Sequence, residues 1–320
     1  MRIQLKQAAA ILTAHQRIEL LCHQNPDGDT LGSAYALCRG LMALKKQVRV
    51  CCSDPIPPLF VGLAQGCEAE NFVPQLIVAV DVADEALLGA LSSQYSGSVD
   101  LVLDHHPSNT GYGRMTYVRP DAAATAEVIC DLLDLLGVSL DRDMAACLYT
   151  GLATDTGCFR YSNTTAHSFE MAARMLRAGA PVAEINYRVF EIKTKGRIAL
   201  EQLLYSNLRY ALEGRCAYVR ITRKMMKENS ATDSDLDCLA GLPRQIEGVE
   251  IGILFKERPD GQYKVSVRTN SLYDASAICQ KLGGGGHKRA AGCTLTKDYE
   301  QSKAMILGVL EEYAKEKHSQ

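Results

Sequence analysis

The sequence predicts an α/β protein in two parts: a doubly wound, mainly parallel sheet first, then a smaller α/β domain, with a cleft between them. Three observations predict it. Short continuous apolar runs alternate with helix-period segments in the first half, the pattern of strands covered on both faces by crossover helices. The texture changes to a charged helical stretch around 180–205. Beyond 206 the strands come in hairpin spacing, with a turn signal at Asp260-Gly261.

In order, Ile18–Cys22 reads as a strand ending at His23, and Thr30–Leu44 as a helix with Leu31, Ala34, Leu37, Cys38, Leu41 and Leu44 at helical spacing. Gln47–Cys52 and Leu76–Val80 are strands, Asp84–Leu91 is a short helix, and Leu101–Leu103 is a buried strand. Ala122–Leu136 is a helix stopped by Gly137. Asp141–Leu152 and Thr165–Ala178 are further helices, the second ended by Gly179 and Pro181. Glu191 to Leu204 reads as a helical connection, which sets domains at 1–185 and 206–320 joined by 186–205. In the second domain Arg215–Thr222, Val249–Lys256 and Gln262–Thr269 are strands. Asp235–Leu242 and Ala275–Leu282 are helices, the latter running into Gly283-Gly284-Gly285-Gly286-His287.

Composition narrows the function classes. With 320 residues, 47% hydrophobic and 22% charged, the chain is an ordinary globular protein. A net charge of −2 argues against coating long nucleic acid, while leaving room for a local anion pocket. No apolar run approaches the roughly 18–20 residues that cross a bilayer, and the N-terminus lacks a signal-peptide pattern. The expectation is a cytoplasmic protein with no membrane partner. The twelve cysteines contain no C-x-x-C pair and lie mostly in apolar runs, so buried reduced thiols are expected.

In parallel sheets ligands bind beyond the carboxyl ends of the strands, where His23, Asp81 and Asp104 fall. Four clusters stand out: His23-Gln24-Asn25-Pro26-Asp27-Gly28-Asp29, Asp81, Asp104-His105-His106, and Asp155 between Thr154 and Thr156. Singly, each also reads as a helix cap or polar turn. Jointly, five carboxylates at one sheet edge would repel one another unless cations were present. Two divalent ions roughly 3.5–4 Å apart solve that problem. Carboxylates with imidazoles and no thiolates suit Mn²⁺ or Mg²⁺, with the histidines favouring Mn²⁺. Tyr161-Ser162-Asn163-Thr164-Thr165 reads either as support for the site or as the cap of the next helix. Farther on, glycines at 283–286 let backbone N–H groups approach an anion. His287, Lys288 and Arg289 add positive charge there, and Arg268 offers a fork for a phosphate. A glycine turn with a solvated basic edge is the competing reading.

The four clusters together resemble the DHH phosphoesterase family, named for the Asp-His-His triplet. Gly284-Gly285-Gly286-His287 resembles the glycine signature of the DHHA1 domain, so the resemblance covers nearly the whole chain. It implies that His23, Asp27 and Asp81 hold one Mn²⁺, that Asp29, Asp81, His105 and Asp155 hold the second, and that Asp81 bridges both. It implies a catalytic pair in which His106 contacts the scissile phosphate and Asp104 orients its neighbours, or binds metal in some states. It implies that Arg268, Gly284, Gly285, Gly286 and His287 bind the substrate across the cleft. The implied activity is hydrolysis of short oligoribonucleotides and dinucleotides to mononucleotides, and of 3′-phosphoadenosine 5′-phosphate to AMP. A homodimer is compatible with this reading. The alternatives are a phosphodiesterase of cyclic or linear dinucleotides, a RecJ-like single-strand DNA exonuclease and, outside enzymes, an RNA-binding module.

Overall fold

Strands β1 (Arg17–Leu21), β2 (Gln47–Cys51), β3 (Leu76–Val80), β4 (Leu101–Asp104) and β5 (Met115–Val118) form one wholly parallel sheet, ordered β2-β1-β3-β4-β5. Alternate residues serve two cores. Ile18, Leu20, Val78, Val80, Leu101 and Leu103 face a helical layer, while Leu21, Ala79 and Val102 pack with Leu88, Tyr95 and Val99 on the other side. Burial on both faces is why these strands are continuous apolar runs. The chain goes from β1 outward to β2 and returns on the far side of β1 as β3, so the carboxyl ends of β1 and β3 border a topological switch point.

The computed structural model describes every residue except 68–70, 238, 319 and 320, and the backbone alone at 237, 287 and 314–318. The chain divides into two compact units, Met1–Ile192 and Lys193–Gln320. In the first, the helices are α1 (Leu5–Ala14), α2 (Gly28–Ala43), α3 (Ser92–Tyr95), α4 (Thr125–Leu135), α5 (Arg142–Asp155), α6 (Ala166–Arg177) and α7 (Val182–Asn186). Glu85–Leu91 is a 3₁₀ segment broken at Gly89, whose φ is 59°. A π-turn, Tyr187–Glu191, follows α7. Helix α1 and strand β5 add to the elements expected from periodicity; β5 is held partly by Met1 and Ile3, whose backbones bond Thr116. Helix α4 begins at Thr125 instead of Ala122, because the backbone of 122–124 is engaged elsewhere. Ala122 O accepts from His105, Ala123 O from Asn163, and Ala123 N–H donates to Glu127. Helix α5 runs on to Asp155.

In the second unit α8 (Lys195–Asn207) precedes β6 (Arg209–Ala211), β7 (Cys216–Ile221), α9 (Arg223–Glu228), α10 (Asp233–Asp237), β8 (Ile251–Glu257) and β9 (Tyr263–Thr269). Then come α11 (Ala275–Gln280), β10 (Gly285–His287), β11 (Ala290–Leu295) and α12 (Tyr299–His318). The sheet order is β10-β11-β9-β8-β7-β6, parallel only between β7 and β8. Leu200 and Leu204 of α8 pack on one face with Val219 and Ile221, and Ile306 and Leu310 of α12 on the other with Phe255 and Val265. The helix expected over Asp235–Leu242 is the shorter α10; Cys238 lies outside the described residues. Among the described residues no cysteine is in a disulfide, and most of the cysteines are buried. Among the described residues no helix is long and apolar enough to cross a membrane.

Candidate metal centre

Three loops at the carboxyl end of the first sheet and the last turn of α5 bring their polar side chains together. His23 follows β1, Asp81 follows β3, and Asp104-His105-His106 ends β4. Asp27 and Asp29 open α2, and Asp155 closes α5. Helices α2 and α5 cross closely because their contact is glycine. A Cβ on Gly32 would lie 2.3 Å from Cys147 O, and one on Gly151 2.7 Å from Asp29 Oδ1. Asp81 turns out of its strand with φ 62°, a left-handed conformation that Asp tolerates better than most residues.

Three interlocked ligand triads result: His23, Asp27 and Asp81; Asp29, His105 and Asp155; and Asp81, His105 and His106, each with ligand atoms within 4.8 Å of one another. Asp81 and His105 belong to two apiece. His23 Nε2 is 3.6 Å from Asp27 Oδ1 and 3.8 Å from Asp81 Oδ2. His105 Nε2 is 3.8 Å from Asp81 Oδ1 and 3.3 Å from Asp155 Oδ2. Asp104 joins no triad. Its Oδ1 accepts from the His105 and His106 backbone N–H groups (2.8 and 3.2 Å) and from His106 Nδ1 (2.8 Å), and its Oδ2 from Asn109 Nδ2 (2.5 Å). Its oxygens thus orient the triplet, the first of the two roles expected of it.

Three site residues, Thr125, Ala126 and Ser33, escaped the sequence reading. Thr125 Oγ1 donates to Asp81 Oδ1 (2.8 Å). Asp29 accepts from Thr125 N–H at Oδ2 (2.6 Å), and from Ala126 N–H (3.0 Å) and Ser33 Oγ (3.1 Å) at Oδ1. A carboxylate has about four lone-pair positions, so Asp29 keeps one, on Oδ2, for a cation. Asn163 Nδ2 donates to Asp155 O (3.1 Å) and Ala123 O (2.9 Å). The segment 122–126 therefore touches Asp29, Asp81 and His105 directly and Asp155 through Asn163. Its small residues and single hydroxyl carry no chemical signal in one dimension. Thr165 caps α6, accepting from Ser168 N–H (3.2 Å), so the 161–165 stretch both supports the site and caps the next helix.

The electrostatics call for a cation. Burial and the charges of Asp29, Asp27, Asp155 and Asp104 push Asp81 well above the usual carboxylate range. Burial, with Asp155 and Asp27, takes Asp29 up to about 7. Burial opposes the charged forms of Asp27 and Asp104 too. The imidazole of His23 and nearby N–H groups outweigh it for Asp27, and His106 and Asn109 for Asp104, holding both below the usual value. Burial likewise opposes the His105 imidazolium, yet Asp155 and Asp29 hold it up to about 9. Among the described residues no Lys or Arg pairs with Asp27, Asp29, Asp81, Asp104 or Asp155. His105 Nδ1 donates to Ala122 O (3.0 Å), which leaves Nε2 as the ligand nitrogen. That Nε2 is buried and makes no well-aligned hydrogen bond, even to Asp155. An orphaned ring nitrogen among carboxylates that no Lys or Arg neutralises fits a divalent cation.

In the second unit the glycine signature is a hairpin arm instead of a free loop. Edge strand β10 pairs with β11, Lys288 and Arg289 make the turn, and a Cβ on Gly284 would fall 2.2 Å from Gly292 O. The register sets His287, Ala290 and Arg268 in one row across three strands. The His287 side chain lies outside the described residues. Arg268 donates to Val267 O (3.1 Å). Arg289, expected to add charge there, donates to the carbonyls of Asn270 and Tyr273.

Residues 17–152 match the DHH family N-terminal domain, and residues 213–316 match the DHHA1 domain. The "Bifunctional oligoribonuclease and PAP phosphatase NrnA" of Thermus thermophilus is 33% identical over 301 residues, spanning 92% of this chain and 89% of that protein. A "Probable bifunctional oligoribonuclease and PAP phosphatase NrnA" of Streptococcus mutans is 28% identical, spanning 90% and 92%. An exopolyphosphatase-related protein from Bacteroides fragilis has a similar crystal structure, with TM-score 0.90 and 20% identity over 97% of this chain and 96% of that one.

Proposed function

The chain belongs to the DHH family of phosphoesterases, and on that premise we propose that it hydrolyses short oligoribonucleotides and dinucleotides to mononucleotides, and 3′-phosphoadenosine 5′-phosphate to AMP, with two Mn²⁺ ions in the cytoplasm. His23, Asp27 and Asp81 hold one ion in this reading, and Asp29, Asp81, His105 and Asp155 the other, with Mg²⁺ as a substitute. The observation that carries it is the set of interlocked triads around Asp81 and His105, with the His105 ring nitrogen unsatisfied. Such ions offset charge on the phosphoryl oxygens and lower the pKa of a bound water.

The protein's own groups do the positioning. Asp104, held ionised, takes the Nδ1–H of His106 and so presents Nε2 of that ring to the scissile phosphate and its leaving oxygen. The Thr125 hydroxyl and the first N–H groups of α4 fix Asp81 and Asp29, so the carboxylates need no rearrangement when substrate arrives. In this reading residues 1–185 are the catalytic domain and 206–320 the substrate domain, with 186–205 between them, of which α8 packs on the sheet of the second unit. In the latter, Gly284, Gly285, Gly286, His287 and Arg268 hold a terminal phosphate or base. The open outer edge of β10, the last strand of its sheet, suits that task.

The test compares kcat/KM, with Mn²⁺, on a 5′-phosphorylated dinucleotide, 3′-phosphoadenosine 5′-phosphate, a cyclic dinucleotide, long single-stranded DNA and pyrophosphate. The first two should lead, and Asp81→Ala or Asp155→Ala should abolish turnover. Preference for long DNA overturns the substrate class. Undiminished turnover in both variants overturns the metal centre.

A further inference from the structure

The chain just after Asp155 is built with more care than a helix end needs. Gly157, Cys158 and Phe159 take φ of 56°, 57° and 62° in succession. Two of them carry a Cβ, so the left-handed run is strained and persists only if its surroundings over-determine it. They do so. Cys158 N–H donates to Ala153 O (2.7 Å), and the N–H groups of Arg160 and Tyr161 both donate to Thr156 O (2.9 and 3.0 Å). Phe159 N–H donates to Thr156 Oγ1 (3.1 Å). Asn163 ties the far side of the turn back to Asp155 O and Ala123 O.

The turn displays two side chains. A Cβ on Gly157 would lie 2.3, 2.5 and 2.6 Å from Cζ, Cε2 and Cε1 of Tyr161. Similar distances to three adjacent ring atoms put Gly157 over the face of the ring, not at its edge. The residue is nonetheless 51% exposed, so the ring rests on Gly157 and offers its other face to solvent. Arg160 is exposed and spends Nε–H on Gly157 O (2.6 Å). Its terminal amino groups hold no hydrogen bond among the described residues. Gly157 is two Cα steps, within about 7 Å, of the Asp155 Cα, so the turn that carries ring and guanidinium adjoins the candidate metal centre. A flat aromatic face stacks on any base, and a guanidinium grips phosphate oxygens.

We propose that Tyr161 is a stacking platform for a nucleobase of the substrate whose phosphate lies at the metal centre, with Arg160 beside it for a further phosphate of the same nucleotide. The inference rests on the phosphoesterase reading above and adds the part of the substrate that the first unit recognises. It makes the first unit select nucleotides over other phosphate esters, without preference among bases.

The test measures KM and kcat of wild type, Tyr161→Ala, Tyr161→Leu and Tyr161→Phe, with Mn²⁺, on a 5′-phosphorylated dinucleotide and on its abasic analogue. Loss of base stacking should raise KM for the dinucleotide roughly 5- to 150-fold in the Ala and Leu variants, with kcat nearly unchanged. Leucine still covers Gly157, which separates stacking from folding. Phenylalanine should keep the wild-type KM, and the abasic analogue should give one KM across all four proteins. Unchanged KM for the dinucleotide in the Leu variant, or an equal rise on both substrates, overturns the platform and spares the phosphoesterase reading. A wild-type protein inert on both substrates overturns the two together.

Discussion

Thr125→Val probes the frame of the metal centre with almost no change in volume. The hydroxyl that donates to Asp81 Oδ1 at 2.8 Å disappears, while the backbone N–H that donates to Asp29 remains. A buried hydrogen bond to a charged group contributes about 1.5–3 kcal/mol, or roughly 10- to 150-fold in an affinity. Removing groups that orient metal ligands typically costs about 10–100-fold, so two independent estimates agree. Asp81 is also the carboxylate most crowded by like charge, with Asp29, Asp27, Asp155 and Asp104 all raising its pKa. Losing its donor therefore falls where the ionised form is hardest to maintain. Free Mn²⁺, followed by its electron paramagnetic resonance signal during titration, should show affinity weakened by one to two orders of magnitude. Thr125→Ser, which restores the hydroxyl, should recover most of it. Wild-type affinity in the Val variant, or equal weakness in Val and Ser, would refute the assignment of Thr125 as a positioning residue.

In chelated protein, His105 is raised from 6.5 to about 9, so its stabilisation is complete below pH 6.5 and is lost as pH rises through about 9. Asp29, raised from 3.8 to about 7, likewise loses stabilisation between those values. The two act in one direction, and calorimetry should show Tm falling from about pH 4 to 9; a rise across that window contradicts the charge balance described. Saturating Mn²⁺ should raise Tm and flatten that slope, since a ligand binding only the folded state stabilises it; equal melting curves with EDTA and Mn²⁺ would count against a metal centre. Gly32→Ala should destabilise by about 1–3 kcal/mol, because its Cβ would meet the Cys147 carbonyl at 2.3 Å. Helix propensity alone favours Ala by about 1 kcal/mol, so the sign of ΔTm in thermal melts decides which effect wins.

The sheet was legible because parallel strands buried on both faces leave uninterrupted apolar runs, as in Leu76–Val80, whose bounds match the observed strand. Short or edge elements were not. Strand β5 is four residues long and half-buried, so no run announces it. Ala122–Ala124 has helical composition, and only the demands of His105, Asn163 and Glu127 on its backbone pull it out of α4. The glycine signature was legible as a motif, but its form as strand β10 depends on β11 lying against it.

The sequence by itself determined the α/β class, the longer buried strands in their order along the chain, and the titratable side chains that end three of them. Chemical type and periodicity are local properties, and one dimension records them. Only the tertiary structure decided that Asp104 is consumed by His106 and Asn109, that Thr125 holds Asp81, that Asp29 spends three of its lone pairs on Thr125, Ala126 and Ser33, and that Tyr161 lies on Gly157. Hydrogen bonds and close approach depend on where distant segments meet. A threonine or an alanine N–H acquires a role only once folding sets it within about 3 Å of a carboxylate.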